Sequence, residues 1–90
     1  MAGFHKRQII KGCYGDLSKV REELEEAEDA QEQGQLLMLL LELSDIVGAC
    51  EGVAKRHGHT LDDLLAYNRL RSEIAVKSMK LTDGKSTYGA

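Results

Sequence analysis

Six consecutive apolar residues, Leu36 to Leu41, constrain the fold of this chain more than any other feature. In an α-helix such a run covers the whole circumference, so these side chains need burial on more than one side. The third predicted helix also has apolar residues on two roughly opposite faces: Leu61, Leu65 and Met79 on one, Tyr67, Leu70 and Ile74 on the other. A lone three-helix domain buries one face per helix. We therefore expect a helical dimer or a dimer of dimers; the alternative is a tight monomer with an apolar surface.

The periodicity of the remaining residues is also helical, and the chain has no proline, three Tyr and one Phe. The pattern predicts a first helix from about Asp16 to Glu32, a second from about Gln35 to Arg56, and a third from just after Thr60 to about Met79. A short helix around Lys6 to Lys11 is expected before them. The predicted fold is all-α: a short N-terminal helix plus three main helices, in a bundle completed by dimerisation.

Helix-terminating residues support these bounds. Asp16 or Ser18 offers a side-chain oxygen to the free amides at the start of the first helix. Gly34 interrupts the pattern after it, and Gly58 is suited to the left-handed conformation that ends the second. Residues 1–81 are predicted to form one helical domain, and residues 82–90 a flexible tail.

Cysteine content and hydropathy favour a soluble cytoplasmic protein. Two cysteines, Cys13 and Cys50, are too few for a disulfide framework and fit a reducing compartment. No apolar run approaches the roughly 20 residues that span a bilayer, and the basic N-terminus lacks the apolar core of a signal peptide. We expect no membrane association.

Charge is unevenly distributed. Residues 22–51 include 10 acidic side chains and no Lys or Arg, whereas residues 1–21 include five basic side chains and one acid, Asp16. A dominant basic face, typical of nucleic-acid binding, is absent from this pattern. The distribution instead suits a site where cations and phosphates meet.

Two acids lie within the apolar sector of the second predicted helix. At roughly 100° per residue, Glu42 and Asp45 fall beside Met38, Ile46 and Ala49. An unpaired buried carboxylate costs several kcal/mol, so such acids persist when protonated, paired or bound to a cation. A purely structural role for the pair is the alternative.

The first predicted helix carries a matching pair, Glu23 and Glu26, beside its apolar stripe. That stripe is made by Val20, Leu24 and Ala27, and Leu17 and Gln31 extend the same three-four spacing. The other acids are expected to point further toward solvent: Glu22, Glu25, Glu28 and Asp29. If the two helices pack antiparallel, the inner pairs face each other. No Lys or Arg of that segment neutralises them, and Mg²⁺ prefers such oxygen ligands. The alternative for this Glu-rich helix is a solvated face. A di-iron bundle fits less well, because neither pair includes a histidine.

Glu22-Glu23-x-x-Glu26 followed by Glu42-x-x-Asp45 resembles the signature of the MazG-like all-α nucleotide pyrophosphohydrolases. The likeness runs from about His5 to Lys80, is strongest from Gly15 to Gly52, and is closest to small phage-encoded members. The resemblance implies a subunit that forms dimers or tetramers and cleaves nucleoside triphosphates between the α and β phosphates. It also implies Mg²⁺, with Mn²⁺ as a substitute, held by Glu23, Glu26, Glu42 and Asp45.

The expected reaction needs a base and basic groups for the phosphates. Glu22 and Glu26 are the candidate catalytic bases, and the sequence does not choose between them. Lys19 is the first candidate for substrate binding, although a surface ion pair with Glu23 is equally expected. Asn68 and Arg71 are candidates on the third helix; an interface amide is the alternative for Asn68. His5, Lys6 and Arg7 reach phosphates in one hypothesis and form a disordered basic leader in the other.

Other polar motifs favour structural roles. His57-Gly58-His59 is typical of a helix end and a solvated loop rather than a metal site. Neither cysteine has a neighbouring base that indicates a nucleophile, and KGCYG lacks the spacing of a phosphate-binding loop. Two alternatives to the enzyme assignment remain: a non-catalytic dimeric helical interaction module, and a phosphoribosyl-ATP pyrophosphatase.

Overall fold

The computed structural model describes residues 5–81, with side chains as far as residue 78. It contains three α-helices: α1 (Leu17–Glu32), α2 (Leu36–Arg56) and α3 (Leu61–Leu81). No strand occurs among these residues, so the all-α prediction is confirmed and each helix bound lies within two residues of its predicted position. The predicted tail, residues 82–90, lies outside the described residues.

The chain divides into two compact units, with the division between Thr60 and Leu61. The first unit contains the segment before α1, called the leader here (residues 5–16), together with α1 and α2. The second unit contains α3. The single domain predicted for residues 1–81 and its bundle arrangement stay predictions.

Local hydrogen bonding fixes the ends of α1 and α2. Asp16 caps α1, since its carboxylate accepts a bond from the Ser18 amide at 3.0 Å. Past the end of α1, Gly34 has a φ of 69°, and the Gln35 amide donates back to the Ala30 carbonyl at 3.0 Å. Gly58 ends α2 in the same way with a φ of 81°. Both ends are Schellman motifs, which need a residue in the left-handed conformation.

α1 and α2 pack against each other as an antiparallel hairpin joined by residues 33–35. Glu23 lies near Asp45, and Glu26 lies near Glu42, so positions that ascend along α1 meet positions that descend along α2. The buried apolar residues in the described part of the chain are all alanines: Ala27, Ala30, Ala49 and Ala54. Small side chains let the helices approach closely, and this spacing brings their carboxylates together.

The leader is not helical, so the N-terminal helix expected around Lys6–Lys11 is not shown. Instead the leader runs along α1 and donates its backbone amides to carboxylates. The Lys6 amide donates to Asp29 at 3.1 Å, and the Gly12 amide donates to Glu22 at 2.7 Å. These hydrogen bonds take the place of the i to i−4 bonds that the expected helix would have formed. So short a helix would have had little stability of its own.

Many large apolar side chains are exposed on this single chain. On α2 these are Leu36, Leu37, Leu40, Leu41, Leu43 and Val47, each at least 46% exposed. Leu17 and Leu24 of α1 are also exposed, although the apolar stripe that includes them was predicted to face inward. Over the described residues, no helix is long and apolar enough to cross a membrane.

Candidate metal site

The face of α1 that meets α2 is acidic. Glu23 is 6% exposed and lies on one helical stripe with Glu26, Ala27 and Ala30, at spacings of three, four and seven residues. Glu22 and Asp29 are also buried, which corrects the expectation that they point toward solvent. The leader causes this difference, because its backbone amides and His5 cover both carboxylates.

Glu23, Glu42 and Asp45 form one carboxylate group between α1 and α2, with an oxygen of each within 4.8 Å of the others. Glu42 is 4% exposed. The Oε2 atoms of Glu23 and Glu42 are buried without any hydrogen-bond partner. Asp45 is exposed, contrary to its predicted burial in the apolar sector, because it lines a cleft that is open to solvent.

Glu26 joins this group through Glu23 and Glu42. Burial raises the pKa of Glu26, and the nearby Glu42 carboxylate raises it further. Burial likewise raises the pKa of Glu23, with the Glu26 carboxylate adding to the effect. Both shifts have one origin: partly desolvated negative charges repel each other, so a proton or a metal cation is favoured between them.

Glu22 has a different environment, although it is adjacent in sequence. Burial opposes its ionisation, but hydrogen bonds from the Gly12 amide and Lys19 together lower its pKa below the usual range. Its Oε1 atom accepts both of these bonds, at 2.7 and 3.1 Å. Glu22 is therefore held as a carboxylate whose bonding capacity is largely used.

Lys19 lies beside the carboxylate group and forms ion pairs with Glu22 and Glu23. Its Nζ is 3.1 Å from Glu22 Oε1 and 3.3 Å from Glu23 Oε1. The hydrogen bond to Glu22 is the main cause of the raised pKa of Lys19. The ion pair with Glu23, which the sequence offered as one of two roles, is present; the role in substrate binding stays a prediction.

His5 reaches the same group from the leader. Its Nδ1 is 3.0 Å from Asp29 Oδ2, and its Nε2 is 3.6 Å from Glu42 Oε1 and 4.0 Å from Glu26 Oε2. The sequence indicated only a phosphate contact or a disordered segment for His5. It gave no signal for this placement, because the His5–Asp29 contact joins positions 24 residues apart.

A cleft of about 410 Å³ opens beside the carboxylates. It is lined by Tyr14, Lys19, Glu23, Ser44, Asp45, Gly48, Ala49 and Glu51. Tyr14, Ser44 and Glu51 were not among the predicted site residues, because each is unremarkable in the sequence pattern. Lys19 and two members of the carboxylate group, Glu23 and Asp45, therefore lie on the walls of the cleft.

The remaining predicted residues belong to other segments of the chain. Asn68 and Arg71 are on α3, in the second unit, and their part in the site stays a prediction. His57 caps the end of α2, in agreement with the structural role expected for His57-Gly58-His59. Arg7 of the leader pairs with Glu28 and Glu32 on the outer side of α1.

The donor set fits a hard divalent cation. Glu23, Glu42 and Asp45 offer oxygen atoms within 4.8 Å of one another, and two of these side chains have a buried oxygen without a partner. Mg²⁺ commonly binds through a few carboxylates and retains waters or substrate phosphates. The exposed Asp45 and the adjoining cleft leave that side of the group accessible to a ligand.

No protein-family model matches this chain, and searches of curated proteins and of solved structures also gave no match.

Proposed function

We propose that this chain is a magnesium-dependent nucleoside triphosphate pyrophosphohydrolase that releases nucleoside monophosphate and pyrophosphate. The observation that carries the proposal is the group of Glu23, Glu42 and Asp45, in which two buried oxygens lack partners beside an open cleft. The resemblance of Glu22-Glu23-x-x-Glu26 and Glu42-x-x-Asp45 to the MazG-like signature supports the same chemistry independently of the structure.

In this proposal Glu23, Glu42 and Asp45 hold Mg²⁺, with Glu26 completing the set. When bound, Mg²⁺ supplies charge neutralisation for the phosphates and lowers the pKa of a coordinated water. The protein's part is to fix the carboxylates on two rigid helices. Close packing at Ala27, Ala30 and Ala49 keeps those helices together.

Glu26 is favoured over Glu22 as the acceptor of the proton from the attacking water. The pKa of Glu26 is raised by burial and by Glu42, so a carboxylate oxygen not used as a ligand binds a proton readily. Glu22 is a weaker candidate, because the Gly12 amide and Lys19 already occupy its Oε1 and lower its pKa.

Lys19 is proposed to bind the phosphates in the cleft. It now neutralises Glu22 and Glu23; once a metal cation takes over that role at Glu23, the ammonium group is available to phosphate oxygens. Asn68 and Arg71 are proposed to contact the base or the ribose.

Assembly as a homodimer, or as a dimer of dimers, is part of the proposal. Leu36, Leu40, Leu43 and Val47 repeat at four-, seven- and eleven-residue spacing along α2 and are all about half-exposed or more. Burial of a leucine side chain contributes about 1.5 to 3 kcal/mol. A core of alanines offers little of that stabilisation, so a second copy that covers these leucines stabilises the fold.

The proposal is tested by measuring pyrophosphate release from canonical, deoxy and modified nucleoside triphosphates, and from phosphoribosyl-ATP, with and without MgCl₂. We expect Mg²⁺-dependent release that falls at least about a hundredfold in Glu42→Gln and Asp45→Asn. The matched control is Glu25→Gln, a change on α1 outside the carboxylate group, which should keep full activity. Faster pyrophosphate release from phosphoribosyl-ATP than from the nucleoside triphosphates would support the alternative of a phosphoribosyl-ATP pyrophosphatase.

A non-catalytic dimeric interaction module is the second candidate, and the exposed leucines of α2 favour it equally. It predicts no pyrophosphate release from any of these nucleotides. It also predicts that Glu42→Gln raises the melting temperature in the presence of MgCl₂ as much as in its absence. Such a result, with helicity retained by circular dichroism, would remove the enzyme assignment.

A further inference from the structure

His5 places a nitrogen ligand among the carboxylates. Its side chain is 7% exposed, and its Nε2 is buried without a hydrogen-bond partner. Nε2 faces two acceptors, Glu42 Oε1 at 3.6 Å and Glu26 Oε2 at 4.0 Å. Three oxygen or nitrogen atoms with lone pairs are unfavourable this close together unless a proton or a metal cation lies among them.

Asp29 fixes which nitrogen faces this group. Its Oδ2 lies 3.0 Å from His5 Nδ1, and it also accepts bonds from the Lys6 amide and the Gln33 side chain. An ionised carboxylate only accepts, so Nδ1 carries the hydrogen and the lone pair of a neutral ring lies on Nε2. This carboxylate–histidine pairing is the arrangement that orients histidine ligands at metal centres.

We propose that His5 Nε2, Glu26 and Glu42 form a site for a transition-metal ion such as Zn²⁺ or Co²⁺, with Asp29 as the positioning residue. An imidazole in the ligand set favours these ions over Mg²⁺ and Ca²⁺, which prefer oxygen alone. A di-iron bundle fitted the sequence less well because neither helix pair includes a histidine; in the structure the leader brings a histidine to the carboxylates.

The distances agree with a shared ion. Ligand atoms bind Zn²⁺ at about 2.0 to 2.2 Å, so two atoms on one ion lie no more than about 4.4 Å apart. The separations of 3.6 and 4.0 Å from Nε2 to the two carboxylates fall within that span. Glu42 also belongs to the set with Glu23 and Asp45, and Glu26 is proposed to complete that set, so the site shares two ligands with the proposed Mg²⁺ site.

The competing explanation is that a proton supplies the positive charge, with His5 as an imidazolium paired to the carboxylates. Metal binding by the metal-free full-length chain separates the two. Calorimetric titrations with ZnCl₂ and with MgCl₂ at pH 7.5 compare the wild type with His5→Gln, and His57→Gln serves as the matched control because His57 is exposed at the end of α2.

We expect His5→Gln to weaken Zn²⁺ binding by more than about tenfold and to change Mg²⁺ binding by less than threefold, while His57→Gln changes neither. Asp29→Asn should weaken Zn²⁺ binding about tenfold through loss of the oriented ring. Unchanged Zn²⁺ binding in His5→Gln would overturn the proposal. An equal loss of affinity for Zn²⁺ and for Mg²⁺ in His5→Gln would also overturn the proposal, because the role of His5 would then be only to anchor the leader.

A measurement on the wild type covers the case in which His5→Gln fails to fold. With ¹⁵N-labelled histidine, Zn²⁺ should shift the Nε2 resonance of His5, and EDTA should restore it; an unshifted resonance at saturating Zn²⁺ rejects the site.

The inference rests on the proposed function only in using the same carboxylates. The titrations contain no nucleotide, so a lack of pyrophosphate release with intact His5-dependent Zn²⁺ binding would remove the enzyme assignment alone.

Discussion

At the scale of single residues, the buried carboxylates set the relation between stability and pH. The pKa of Glu23 and the pKa of Glu26 are both raised in the folded chain, first by burial and then by the neighbouring acid. Their contribution to stability is therefore full below the ordinary glutamate value of 4.5 and is lost as pH rises through the raised value. Near neutral pH without metal, these two groups destabilise the fold.

Glu22 and Asp29 have the opposite effect. Burial alone would raise their pKa values, but bonds from Gly12 and Lys19 to Glu22, and from His5 and Lys6 to Asp29, lower them. Their stabilising contribution is present above the ordinary values and is lost as pH falls through the lowered ones. The fold of the metal-free chain should thus be most stable in mildly acidic solution.

Glu26→Gln tests this balance. In metal-free buffer at pH 7.5 the variant should melt higher than the wild type by roughly 4 °C, which corresponds to about 1 kcal/mol in a domain of this size. The difference should shrink toward pH 4, where Glu26 is protonated in both states. Thermal melts followed by circular dichroism from pH 4 to 8 measure this. Glu25→Gln, for which no such advantage is expected, is the control; a wild type that is more stable than Glu26→Gln at pH 7.5 would contradict the argument.

At the scale of elements, the leader and α1 behave as one unit. Gly12 lies so close to the first turn of α1 that an added Cβ would come within 2.2 Å of the Ser18 carbonyl oxygen. The same glycine donates its amide to Glu22. A side chain at position 12 therefore has to move the leader away from the acidic face.

Gly12→Ala should destabilise the chain by about 1 to 3 kcal/mol, the usual effect of forcing extra atoms into a packed contact. Gly48→Ala is the matched control: an added Cβ there meets nothing within 4 Å, and alanine favours the α2 helix by up to about 1 kcal/mol. Urea denaturation of the two variants provides the comparison. Equal stability of Gly12→Ala and the wild type would indicate that the leader does not pack as described.

Helix bounds were predictable because local residues determine them. Asp16, Gly34 and Gly58 act on amides and carbonyls within a few positions, and each acts in the structure as the pattern indicated. The inner face of α1 was predictable only in part. Hydrophobicity pointed to Leu17 and Leu24, but both are exposed, because the alanine and glutamate stripe packs against α2 instead.

The membership of the carboxylate group was largely predictable, and its surroundings were not. The three-residue spacings of Glu23 with Glu26 and of Glu42 with Asp45 placed each pair on one helical face, and the antiparallel hairpin brings them together. The roles of His5, Gly12 and Asp29 depend on how the leader runs along α1. No local pattern encodes that path, because the leader's contacts with Glu22 and Asp29 join residues 10 to 24 positions apart.

At the scale of the whole molecule, the exposed apolar side chains are the observation that supports the proposed association. No large side chain among the described residues is fully buried, while Leu36, Leu37 and Ile10 are each more than 65% exposed. A chain of this length buries about 60% of its unfolded surface in the best case. Stability should therefore depend on protein concentration, as it does for obligate dimers.

We expect the melting temperature to rise by a few degrees for each tenfold increase in chain concentration, since mass action then contributes about 1.4 kcal/mol. Leu40→Asp, a change on the exposed stripe of α2, should abolish that dependence and halve the mass measured by light scattering. Arg21→Asp is the control, because it introduces the same side chain at an exposed position of α1. A monomeric wild type with a concentration-independent melt would count against association.

The location of His5 has a practical consequence for how the protein should be prepared. Its imidazole lies within 4.0 Å of Glu26 and Glu42, so a polyhistidine purification tag placed just upstream would bring further imidazoles within reach of those acids. Nickel leached from an affinity resin could then be retained there and distort any assay of metal preference. Material carrying a cleavable tag at the opposite terminus avoids this artefact.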